Sequence, residues 1–153
     1  MKITKDFVNK ISEHISTVFG VGYTAYAPGT IGSLFGLLIY MFLKDTSIYV
    51  YGITTVVLFI AGTYASNVME DIYDMKDPSF VIIDEVVGML LSLIAIPYSP
   101  MYAILGFFLF RIIDIAKIPP LNWLEKIHGG FGIMLDDAVG GIMVNIILQV
   151  LTR

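Results

Sequence analysis

The sequence predicts an all-α protein, a membrane-embedded bundle of about five apolar helices preceded by one amphipathic helix. Three observations lead there. The 153-residue chain is 57% hydrophobic and 14% charged, with a mean hydropathy of +0.83, whereas a soluble domain carries about 25% charged residues. Its apolar runs are continuous and lack the alternating polar positions that lumen-facing barrel strands require. Its first residues place Ile3, Phe7, Ile11, Ile15 and Val18 at steps of three and four, the period of a helix face.

Residues 1–19 mix Lys2, Lys5, Asp6, Lys10, Glu13 and His14 into that apolar pattern, so they do not read as a cleavable signal. A helix lying at the membrane surface is expected, with lysines at the headgroups and the Ile/Phe stripe below; packing on a core is the alternative. Apolar runs follow at 31–43, 48–69, 86–96, 101–110 and 138–151. Only the second reaches the roughly 20 residues that a hydrocarbon core of about 30 Å demands. The others span only by extending into polar neighbours, from Thr30, from Phe80 and through Ile115, which puts functional groups at helix ends.

Two short loops, 44–47 and 97–100, separate these runs, the second bounded by prolines that stop helices. If both lie on one side of a bilayer, the other side holds seven of nine Lys/Arg, all but Lys44 and Arg153, and twelve of thirteen Asp/Glu, all but Asp45. By the positive-inside rule that charged side is cytoplasmic, an assignment resting on Lys2, Lys5, Lys10, Lys76, Arg111, Lys117 and Lys126.

A net charge of −4 and a pI near 4.9 argue against a nucleic-acid partner. The absence of cysteine excludes disulfides, thiolate zinc sites and cysteine nucleophiles. No repeat, low-complexity run or linker divides the chain, so residues 1–153 are read as one domain.

Four clusters carry chemistry. Asp84 and Glu85 interrupt an apolar run, where each ionised group costs about 2.5–3.5 kcal/mol unless it meets a cavity, cation or partner. A salt bridge to Arg111 is the structural alternative. Arg111, Asp114 and Lys117 form a +/−/+ ladder three residues apart, read either as a surface ladder or as a phosphate site with an acid or metal ligand. His128 precedes three glycines within four positions and the pair Asp136-Asp137, one of which would serve equally well as a helix cap. Pro28-Gly29-Thr30-Ile31-Gly32-Ser33 offers free amides and hydroxyls to an anion, without the lysine of a Walker loop. Carboxylates without histidine or cysteine clusters suit a hard cation such as Mg²⁺. Together with Arg and Lys, such a cation neutralises phosphoryl oxygens and positions a water. The chemistry suggested is phosphoryl transfer at a lipid headgroup.

These residues resemble the phosphatidylglycerophosphatase A family, through PGTIGSL at 28–34, DPSFVIIDEVVGM at 77–89, FRIIDIAKIPP at 110–120 and HGGFGIMLDDAVGG at 128–141. The motifs stand in the family's order and cover about residues 20 to 145. The resemblance implies a Mg²⁺-dependent membrane phosphatase that converts phosphatidylglycerophosphate to phosphatidylglycerol in the bacterial inner membrane, its site facing the cytoplasm. It points to Thr30, Ser33, Asp77, Asp84, Glu85, Arg111, Asp114, Lys117, His128, Asp136 and Asp137. On this reading Asp84, Glu85, Asp136 and Asp137 are the metal ligands, and Asp114 is a further ligand or base. Arg111 and Lys117 hold the phosphate, His128 protonates the leaving oxygen, and Thr30, Ser33 and Asp77 line the substrate site. Two departures, Ile118 in place of a common proline and Gly140 in place of alanine, remove no charged or protic group.

Two competitors remain at this stage. A CDP-alcohol phosphotransferase would show an Asp-Gly, Ala-Arg pattern and two later aspartates four apart, which this chain lacks. A transporter or ion-binding membrane subunit would carry acids at mid-membrane depth rather than at one end. The oligomeric state is open, a homo-oligomer included.

Overall fold

The computed structural model describes residues 2–124 and 126–152, with side chains from Lys5 onward. The predicted side-chain role of Lys2 therefore lies outside the described residues. Seven α-helices and one 3-10 turn make up the described residues, with no strand among them. The helices are α1 (Lys2–Ser16), α2 (Pro28–Leu43), α3 (Ile48–Tyr73), α4 (Ile83–Leu93), α5 (Pro100–Ala116), α6 (Leu121–Leu124) and α7 (Gly130–Leu151). The five apolar helices and the amphipathic one are as expected from sequence; the short α6 is additional.

The core is built around α4. Its Val87, Met89 and Leu90 are fully buried, and it packs on α2, α3, α5 and α7. At 11 residues α4 is about 17 Å long, too short to cross a bilayer. It is a central strut whose first turn carries Asp84 and Glu85. The α4–α7 crossing is close because both partners are glycine there. A Cβ on Gly141 would lie 2.2 Å from the Gly88 carbonyl oxygen.

Local chemistry sets the helix ends. Ser47 and Ser99 cap α3 and α5, their hydroxyls accepting from the Val50 and Met101 amides, and Pro100 opens α5 where its missing N–H costs nothing. Asn145 donates to the carbonyls of Ser92 and Ile94, tying α7 to the end of α4. The 44–47 and 97–100 loops meet at one end of the bundle, where the Lys44 ammonium lies 4.2 Å from the Tyr98 ring and 2.6 Å from Asp45. The starts of α2, α4 and α7 and the ends of α3 and α5 gather at the other.

Two helices, α3 and α7, are long and apolar enough to cross a membrane. The outer face of α3 exposes Ile53 (65%), Val56, Val57 and Ile60 (63%), a stripe without charge. Helix α1 packs on α3, buries Ser12 and Ser16, and turns Phe7 (64% exposed) and Ile11 outward. Ile15 and Val18 lean on the core, so within the predicted apolar stripe Phe7 and Ile11 are the described members that face away. The Ser16 carbonyl accepts the Ile82 N–H at 2.8 Å, anchoring the segment before α4.

Candidate active site

Helix α2 begins at Pro28, so Thr30 lies within its first turn. Helix α5 ends at Ala116, and Lys117 takes a left-handed backbone (φ 43) as its C-cap. Helix α7 begins at Gly130, so Asp136 and Asp137 lie more than a turn inside it and cap nothing. That early start depends on glycine: Gly129 has φ 88, and a Cβ on Gly130 would lie 2.0 Å from the Thr63 carbonyl oxygen.

The result is a cavity of about 500 Å³ at the charged end of the bundle. Asp77, Asp84, Glu85, Arg111, Asp114, Lys117, Asp136 and Asp137 all line it. Asp84, Asp114, Asp136 and Asp137 are buried, Asp137 to 2% exposure. Arg111 Nη1 donates to Asp114 Oδ2 at 2.7 Å and to Ser33 Oγ at 3.4 Å, and lies 4.0 Å from Glu85 Oε1. Ser33 is buried just behind the arginine and donates to the Gly29 carbonyl at 2.9 Å. Lys117 Nζ donates to Asp114 Oδ1 at 2.7 Å and to Asp136 Oδ2, and lies 3.7 Å from Asp137 Oδ1. Burial alone would lower the Lys117 pKa, but Asp137, Asp114 and Asp136 outweigh it and hold the ammonium above its usual range.

Both the ladder and the salt-bridge readings are therefore realised, and they join in one network across α4, α5 and α7. Three predicted residues are not among the cavity-lining side chains: His128, which is exposed, Thr30, which is half-buried, and Ser33, which is buried and touches the site only through Arg111.

Other residues went unsuspected. Gly29 lines the cavity, and a Cβ there would lie 2.2 Å from Glu85 Oε1 and 3.1 Å from Arg111 Nη2, so only glycine leaves room for that pair. Lys76 and Ser79 line the exposed side of the cavity; their signal was their position flanking Asp77-Pro78. Glu70 lies outside the four motifs, yet its two oxygens accept the Asp77 and Gly129 amides.

The donor set fits a hard divalent cation. Oxygen atoms of Asp84, Glu85 and Asp137 lie within 4.8 Å of one another, as do those of Asp114, Asp136 and Asp137. Asp84 Oδ1, Glu85 Oε2 and Asp137 Oδ2 are buried without a hydrogen-bond partner. Desolvated carboxylate oxygens of this kind are costly unless a cation neutralises them. Six carboxylates line the cavity against three cations, Lys76, Arg111 and Lys117. A phosphate entering so acidic a cavity needs further positive charge, and all-oxygen ligands select ions such as Mg²⁺.

A carboxylate-rich cavity carrying Arg and Lys, at one end of a helical bundle, suits the binding of a phosphoryl group with a cation. A family model described as Phosphatidylglycerophosphatase A matches residues 14–152. The chain belongs to that family. Among curated relatives, a Bacteroides thetaiotaomicron protein provisionally named a phosphatidylinositol-3-phosphatase is 38% identical over 144 residues, 89% of this chain and 90% of its own. Phosphatidylglycerophosphatase A of Escherichia coli is 31% identical over 127 residues, 82% of this chain and 74% of its own. The Haemophilus influenzae protein of the same name is 35% identical over 133 residues, 85% and 82% of the two chains. No solved structure gives a significant match.

Proposed function

We propose that this chain hydrolyses the terminal phosphate monoester of phosphatidylglycerophosphate to phosphatidylglycerol and phosphate, using Mg²⁺, at the cytoplasmic face of the bacterial inner membrane. Family membership supports the reaction. The observation that carries the chemistry is the convergence of buried, unpartnered carboxylate oxygens and two cations on one cavity. Asp84, Glu85 and Asp137 would hold Mg²⁺, with Asp136 beside them; the bound ion supplies Lewis-acid stabilisation of phosphoryl charge and lowers the pKa of a coordinated water. Arg111 and Lys117 hold the phosphate, and Asp114, with one oxygen on each, fixes their separation. Asp77, Lys76 and Ser79 flank the entering headgroup. The acid role suggested for His128 has the least geometric support, because its ring is exposed away from the cavity lining.

The apolar flank of α3 and the outward Phe7 and Ile11 of α1 support placement of the bundle in a bilayer with α1 at its surface. The charged end then meets the headgroup layer, where a phosphate monoester on a lipid presents itself.

The name of the 38%-identical relative favours a second substrate, phosphatidylinositol 3-phosphate, which offers the same chemical group on another alcohol. Phosphate release from both lipids in detergent micelles separates the readings. Turnover of phosphatidylglycerophosphate at least tenfold above the inositol lipid is expected. The reverse preference would transfer the assignment to the second lipid, and release from neither would overturn both.

A further inference from the structure

Asp137 belongs to two carboxylate triads at once, one with Asp84 and Glu85, the other with Asp114 and Asp136. In two-metal phosphoryl-transfer sites, divalent ions stand about 3.5–4 Å apart and clamp the reacting phosphate from both sides. A carboxylate shared by two triads suits that layout. Here, however, the two triads are not equivalent.

Around Asp84, Glu85 and Asp137, buried oxygens lack a partner, namely Asp84 Oδ1, Glu85 Oε2 and the shared Asp137 Oδ2, and Arg111 stands off at 4.0 Å from Glu85 Oε1. The second triad already contains a cation. Lys117 Nζ contacts Asp114 Oδ1, Asp136 Oδ2 and Asp137 Oδ1, all three members of the triad. Its backbone reaches this place from a left-handed C-cap at the end of α5, and one edge of the side chain, 29% exposed, remains open at the cavity.

We propose that Lys117 is a built-in substitute for a second metal ion, so that the site takes one divalent cation, in the triad of Asp84, Glu85 and Asp137, and one ammonium. This rests on the reading of that first triad as the metal site. An ammonium carries half the charge of Mg²⁺, but it is covalently held and never dissociates. It offsets part of the charge of Asp114 and Asp136, which take two of its three N–H donors, and has the third for a phosphoryl oxygen, while only one site depends on ion supply. Removing the ammonium leaves three buried carboxylates around a space, which is the description of a vacant divalent site.

The test is a count of Mn²⁺, a hard-ion stand-in for Mg²⁺, bound per full-length chain in detergent, by elemental analysis after gel filtration and by electron paramagnetic resonance. Wild type is expected to bind one magnetically isolated ion. Lys117→Met is expected to bind two, with the spectrum of a coupled pair, and Lys117→Met combined with Asp136→Asn to return to one. Lys117→Arg keeps the charge and the count of one. Lys117→Gln, which keeps a donor near Asp114, is a second neutral variant should Lys117→Met fail to fold, and two ions are expected there as well. Two ions in wild type, or one in the folded neutral variants, would overturn the proposal and leave the first metal site intact. No ion in wild type would overturn that metal site and this inference together.

Discussion

Glu70, near the end of α3, accepts the backbone N–H of Gly129 on Oε2 at 2.9 Å, 59 residues along the chain. Its other oxygen accepts the Asp77 N–H at 2.9 Å. One carboxylate thus pins the loop that carries Asp77 and the turn that launches α7 toward Asp136 and Asp137. Hydrogen bonds to a charged acceptor contribute roughly 1.5–3 kcal/mol each, and loss of such supporting contacts costs about 10–100-fold in activity or metal affinity. Glu70→Ala is therefore expected to lower kcat/KM by that range while the purified protein stays helical by circular dichroism. Glu70→Gln, which keeps one acceptor, falls between. Wild-type kinetics in Glu70→Ala would remove Glu70 from the account.

Metal binding by Asp84, Glu85 and Asp137 predicts ligand-dependent stability. An ion that binds only the folded state stabilises by RT ln(1 + [L]/Kd), about 2.7 kcal/mol at a concentration of 100 Kd. Melting in detergent is expected to rise with added Mg²⁺ in wild type. In Asp84→Asn or Asp137→Asn, the rise is expected to vanish. An unchanged Mg²⁺ response in both variants counts against this ligand set.

Arg111 and His128 should respond very differently to substitution. Nη1 of the guanidinium alone reaches Asp114 and Ser33 and lies near Glu85, so the planar group offers further donors beyond those contacts, which a lysine ammonium does not. Arg111→Lys is expected to lose about 100-fold or more in kcat/KM, on the order of 3 kcal/mol of transition-state stabilisation. The exposed His128 lies off the cavity lining, so His128→Gln is expected to lose less than about tenfold, below the usual range for a general acid. Steady-state rates at saturating Mg²⁺ decide; a His128→Gln loss as large as that of Arg111→Lys would restore the histidine to the proton-transfer step.

Orientation is testable because the chain has no cysteine of its own. Asp45→Cys marks the end opposite the cavity and Lys126→Cys the cavity end, both at exposed positions. In intact cells, a membrane-impermeant maleimide is expected to label Asp45→Cys only, and Lys126→Cys only after the membrane is opened. The reverse pattern would turn the site to the outside.

Much of this arrangement was legible in the sequence because charge is scarce. In a chain with so few ionisable residues, Asp84-Glu85 inside an apolar run and the Arg111-Asp114-Lys117 ladder stood out, and both line the cavity. Helix periodicity likewise identified α1, and continuous apolar runs identified α2, α3, α4, α5 and α7. What sequence did not convey depends on contacts across the fold. Lys117 bonding Asp136 links positions 19 apart, and Glu70 bonding Gly129 spans 59, with no local pattern to announce either. Gly29 belonged to a segment read as an anion niche, whereas its lack of a side chain makes room for Glu85 and Arg111. His128 was raised by its neighbours in the glycine-rich motif, and a turn at Gly129 is enough to leave its ring outside.

On the proposed reading, buried carboxylates at one end of the helical bundle bind Mg²⁺ for hydrolysis of a lipid phosphate monoester, and activity follows the metal. The most direct measurement is phosphate release from phosphatidylglycerophosphate in detergent micelles, with excess Mg²⁺ or with chelator, for wild type and for Asp84→Asn combined with Asp137→Asn. The account predicts turnover in wild type that chelator abolishes and Mg²⁺ restores, and a loss of at least about 1,000-fold in the double variant, on the order of 4 kcal/mol. Activity that survives chelation, or a double variant that still turns over at the wild-type rate, would contradict it.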